Sequence, residues 1–131
     1  MTIKFEVLLD QFAGTDHTID ITSQVKQVVL PKLELIPGQP PEWKPISIIL
    51  DPNDQLKDLI NTQLTLQAEL CRTDEFSNSW FYVRVNMQHD GVEIKTSWVM
   101  RESFLAQTIW EHDVLRLEFS CKDVAYEVGD T

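Results

Sequence analysis

Apolar and polar residues alternate with a period of two along much of the chain, the pattern of strands that bury one face. Between Ser79 and Met100, two such runs flank Asp90-Gly91, a dipeptide that tolerates the positive φ angles of a type I′ turn. A two-residue loop there sets Met87 opposite Ile94, Val85 opposite Thr96, Val83 opposite Trp98 and Phe81 opposite Met100. That register gathers an almost wholly apolar face and assigns Trp98 to the core. The other face pairs Gln88 with Glu93, Asn86 with Lys95, Arg84 with Ser97 and Tyr82 with Val99. A slip of one residue would oppose apolar to polar side chains along the whole hairpin, so turn chemistry and alternation agree.

The same period recurs in Thr2–Asp10, in Leu64–Cys71, in Val114–Cys121 and at about 124–128, while Ile46–Leu50 is a short continuous apolar run. Asp51-Pro-Asn-Asp54 is a helix-start signature, and Leu56, Leu59 and Ile60 supply the matching stripe, which predicts a short helix at about 52–61. Two stretches stay open between strand and helix. In 18–30 the β-branched residues favour strand, and in 101–112 the spacing of Phe104, Leu105, Thr108 and Ile109 suits a short helix. Lys32–Pro45 holds four prolines and reads as an extended connector, too proline-rich for a central strand.

These elements predict a mainly β fold, an antiparallel two-sheet β-sandwich of about seven short strands with one or two short helices. The alternative is an α+β layer, one antiparallel sheet covered by the 52–61 helix. At 131 residues the chain reads as a single domain, 1–131, with a Pro-rich loop at about 31–45.

Charge narrows the partners. Twenty-one acidic residues against eleven Lys and Arg give a formal charge of -10. A nucleic-acid partner is therefore disfavoured, since affinity for phosphate comes largely from cations. No apolar run approaches the roughly 20 residues a membrane span needs, and the N-terminal segment carries no secretory-leader pattern, so the expected location is cytoplasmic. Cys71 and Cys121 fall on opposed faces of their predicted strands and are expected to be free thiols.

Catalytic motifs are scarce. Four glycines cannot build a Gly-rich phosphate loop, and no Gly-x-Ser-x-Gly, His-Glu-x-x-His or Cys-x-x-Cys occurs. His112 lies between Glu111 and Asp113, but neighbouring residues of an extended segment point to opposite sides, so a polar turn is the simpler reading than a metal site. His17 and His89 read as surface histidines. No cofactor and no enzyme activity are expected.

Aromatic residues carry the candidate chemistry. Trp80 and Tyr82 lie beside Arg84 on the less apolar hairpin face, a composition found at binding hot spots and stacking platforms. Trp43 in the Pro-rich loop is a second candidate and Trp110 a third. The expected function is a non-enzymatic interaction module that binds a protein partner or its own copy through Trp80, Tyr82, Arg84 and Trp43. The alternatives are a small-molecule or carbohydrate-binding β-sandwich and, behind it, an acidic mimic of nucleic acid.

Overall fold

The computed structural model describes residues 3–89 and 94–130. The chain opens with β1 (Ile3–Asp10), a 3-10 turn at Phe12–Gly14, β2 (Thr18–Asp20), a second 3-10 turn at Thr22–Gln24 and β3 (Val25–Val29). A small arm of β4 (Leu33–Glu34) and β5 (Glu42–Trp43) leads to β6 (Ile46–Leu50) and the helix α1 (Asp54–Leu70). A third 3-10 turn at Phe76–Ser79 precedes β7 (Phe81–His89), β8 (Ile94–Glu111), β9 (Val114–Ser120) and β10 (Asp123–Asp130). The order β2-β1-β7-β8-β9-β6-β3, with β10 also on β8, makes one large antiparallel sheet, and β4-β5 forms a separate two-stranded one.

The long strand β8 folds this sheet on itself. Its first half pairs β7 and β10, and its second half pairs β9. Between them Glu102 adopts φ 53 and the β7 register shifts between Phe81 and Val83, a bulge that turns the strand. The buried faces of the two halves then meet, and Phe81 from β7 packs edge-on to Phe119 from β9 with ring centroids 5.7 Å apart. Phe12 also packs edge-on to Phe81, with ring centroids 4.8 Å apart. Alternation dictates which residues fill this space: Val7 and Leu9, Val83 and Val85, Ile48 and Leu50, Leu115 and Leu117 are all buried.

The helix runs to Leu70, well past the predicted end at 61, and it replaces the strand expected over Leu64–Cys71. Leu56, Ile60, Gln63 and Gln67 are its buried residues, spaced four, three and four apart on one helical face. Two members of that face are polar, so the stripe reads in sequence as though it stops at Ile60. Cys71, expected on a strand, caps the helix C-terminus and is exposed.

Those glutamines lock three parts of the fold. Gln63 Oε1 accepts from the Ala13 N–H at 2.7 Å, and its Nε2 donates to the Ser79 carbonyl at 2.8 Å and to Gln67 Oε1 at 2.9 Å. Gln67 accepts from the Leu105 N–H at 2.9 Å and donates to the Leu105 carbonyl at 3.0 Å. Leu105 borders the second bulge of β8, where the register with β9 shifts before Gln107. Gln67 thus serves both backbone groups of a residue at a break in the ladder.

Two further expectations change. The stretch 101–112 is strand, not helix, and within 18–30 two short strands flank a 3-10 turn. In the hairpin, Val85 lies opposite Trp98, Val83 opposite Met100 and Met87 opposite Thr96, two residues away from the predicted register. An even shift preserves which face each side chain occupies, so the apolar face survives the correction. The Asp90-Gly91 turn lies outside the described residues.

Candidate interaction surfaces

The hairpin strip is built on the outer face of β7. Tyr82 stands opposite Asp10 and is partly buried, while Arg84 stands opposite Leu8 and Val99 and is exposed. One row further on, Asn86 is buried by its own bonds: its Nδ2 donates to Glu6 Oε1 at 2.8 Å and its Oδ1 accepts from Ser97 Oγ at 2.8 Å. Trp80 sits where the turn at 76–79 enters β7, partly buried, with its indole Nε1 shielded from solvent and without a hydrogen-bond acceptor. Trp43 is on the separate arm, opposite Leu33. Arg84 is therefore the exposed member of the four, and the other three are partly buried.

Two apolar surfaces were not anticipated. On the arm, Leu33, Leu35 and Ile36 are exposed by 44%, 68% and 43%. The arm is pinned by Lys44, whose Nζ lies 2.7 Å from Glu34 and 3.9 Å from Glu42, and whose pKa is raised by the hydrogen bond and charge of Glu34. Its sequence signal, alternation in Lys-Leu-Glu-Leu, was hidden among prolines that mark a connector. The second surface belongs to β10, where Tyr126 and Val128 are exposed on the side that faces the core elsewhere along the sheet. Trp98, assigned to the core, is partly buried and packs on Tyr126 with ring centroids 4.6 Å apart.

A groove of about 230 Å³ lies between α1 and the end of the β8–β9 hairpin, lined by Lys57, Ile60, Asn61, Leu64, Thr108, Trp110 and Leu115. Trp110 is half exposed there, with Lys57 Nζ 6.0 Å from its ring centre. The strand register explains the position: Trp110 pairs Leu115 one step before the His112–Asp113 turn, in which His112 takes φ 55. Glu111 beside that turn binds Arg116 at 3.1 Å. Among the described residues, no three His, Cys, Asp or Glu side chains are grouped to hold a metal. Both thiols are free, and burial followed by the nearby Asp123 pushes Cys121 up to about 11. No described helix is long and apolar enough to cross a membrane.

No family model and no curated protein matches the chain. Solved structures do share its fold. A chain of the cryo-EM structure of the anti-feeding prophage (AFP) baseplate, 6-fold symmetrised, aligns with TM-score 0.56 and 12% identity over 97% of this chain and 94% of that one. A crystal structure of Hcp protein aligns with TM-score 0.53 and 10% identity, covering 98% of each chain. At these identities the likeness is one of fold.

Proposed function

We propose that this chain is a non-enzymatic, protein-assembling β-module that associates with further copies of itself. The observation that carries the reading is the arm: three large apolar side chains, Leu33, Leu35 and Ile36, stand in solvent on a segment outside the main sheet. The arm is also locally neutral, so like-charge repulsion does not oppose contact there. Lys32 and Lys44 balance Glu34 and Glu42 between residues 31 and 45, in a chain of net charge -10. An arm on one copy that seats elsewhere on the next makes a head-to-tail contact, which closes into a ring when the rotation permits. The fold shared with a component of a 6-fold symmetrised baseplate supports that geometry. The outer-face strip of Tyr82 and Arg84, flanked by Trp80, is a further contact of the same kind, with Arg84 as its anchor. Amide hydrogen exchange in dilute and concentrated protein tests the reading. Protection of residues 33–36 and 42–43 that grows with concentration is expected, and concentration-independent exchange there overturns it.

The groove beside Trp110 favours a second reading, a ring-shaped ligand such as a sugar stacked on the indole and bonded by Asn61 and Thr108. Quenching of tryptophan fluorescence by a glycan panel, lost in Trp110→Ala, is the expected sign. A silent panel removes this reading.

A further inference from the structure

We propose that the free edge of β10 accepts an extended, lysine- or arginine-bearing strand of another protein, apolar side chains resting beside Tyr126 and Val128 and cations beside Glu127. Among the described residues, three strands of the large sheet pair on one side only, and two of them are guarded. β2 has three residues, and β3 breaks register between Val25 and Gln27 around the exposed Lys26. Short length, bulges and edge lysines are the usual defences against an added strand. β10 has none of them. It keeps unbroken register with β8 over eight residues, from Asp123 opposite Arg101 to Asp130 opposite Ile94, and contains no Lys, Arg or Pro.

The two sides of that edge set the chemistry of the occupant. On one side Tyr126 is 55% and Val128 56% exposed, and Trp98 packs against the Tyr126 ring. On the other lie Asp123, bonded to Arg101 at 2.7 Å, and the exposed Glu127. An added strand alternates sides, so its apolar residues meet the first surface and its polar ones the second. Charge selects among occupants. The strand supplies three acids and no cation in a chain of net charge -10, so a second copy's β10 would set acid against acid, whereas a cationic strand is attracted.

The proposal rests on the assembling-module reading, yet the two fail separately, because self-association is read from mass and this edge from a peptide. The probe is a fluorescent, end-capped peptide of about eight residues alternating lysine and valine, titrated by anisotropy into the intact protein. Its controls are a twin N-methylated on alternate amides and a twin with glutamate for lysine. Binding is expected to weaken about tenfold or more with either twin, in Glu127→Lys and in Val128→Lys, and to weaken as salt rises. Equal binding of the N-methylated twin would mean adhesion to the acidic surface without strand pairing, and would overturn the proposal. So would absence of binding by the parent peptide, indifference to both variants, or an oligomer that Glu127→Lys dissociates, since a second copy would then occupy the edge.

Discussion

Gln67→Leu tests whether the glutamine pair or apolar packing alone holds α1 on the sheet. The substitution keeps most of the side-chain volume and removes every polar contact of a residue that is 8% exposed. The Leu105 N–H and C=O, now held by Gln67 at 2.9 and 3.0 Å, are left without that partner at a break in the ladder. Each orphaned buried backbone group costs about 1–3 kcal/mol, so the pair predicts a loss of roughly 2–6 kcal/mol. Set against a typical stability of about 5–15 kcal/mol, that is a large share. Urea unfolding should show a midpoint lowered by roughly 1–2 M with unchanged slope, and the melting temperature should fall by about 10 °C. Gln67→Glu sharpens the test. Its carboxylate accepts from the Leu105 N–H but cannot donate to the carbonyl, so the folded state favours the protonated acid and raises its pKa. Stability of that variant, relative to wild type, should therefore recover as pH falls through the raised folded-state value. In the double variant Gln63→Leu/Gln67→Leu, the loss should be smaller than the sum of the single losses by about 1 kcal/mol, because both singles count the Gln63–Gln67 bond. A Gln67→Leu loss below about 0.5 kcal/mol, or no pH recovery in Gln67→Glu, would refute the lock.

The helix cap gives a smaller effect: Asn53 Oδ1 accepts from the Leu56 N–H at 2.8 Å, and Asn53→Ala should lose about 1 kcal/mol by urea unfolding. The half-buried Cys121 thiol, pushed up to about 11 from 9.0, binds its proton more tightly when folded. Its contribution to stability is present below pH 9 and lost as pH rises toward 11, and Cys121→Ala should flatten that part of the stability curve. With its pKa pushed up by burial, Cys121 holds its proton at pH 8, so iodoacetamide should modify the exposed Cys71 well before Cys121, as mass spectrometry of the labelled peptides would show.

The β elements were legible because each buries one face, as the buried triplets of β6 and β9 illustrate. The helix was cut short because its inner face continues as Gln63 and Gln67, whose partners are backbone groups far away in sequence. Hydropathy has no way to register such a bond. β8 was divided because Arg101-Glu102-Ser103 interrupts the alternation, and in the fold that interruption is the left-handed Glu102 and the bulge that turn the strand between two sets of partners. Of the candidate surface, the sequence located Tyr82 and Arg84 on a common face but could not weigh exposure. It passed over Leu35 and Ile36, because prolines on either side marked a connector, and over Tyr126 and Val128, whose parity assigns them to the core while their place on an edge strand leaves them in solvent.

The most direct measurement is molecular mass in solution by light scattering, over a concentration series at low and high salt, for the wild type and for Leu35→Asp/Ile36→Asp. Both residues are exposed, so the variant should still fold, with the far-UV circular dichroism of the wild type. The account predicts a wild-type oligomer that persists in high salt, as apolar contacts do, and a monomeric variant. A wild type that stays monomeric at every concentration and salt, or an oligomer that the variant leaves intact, would contradict it.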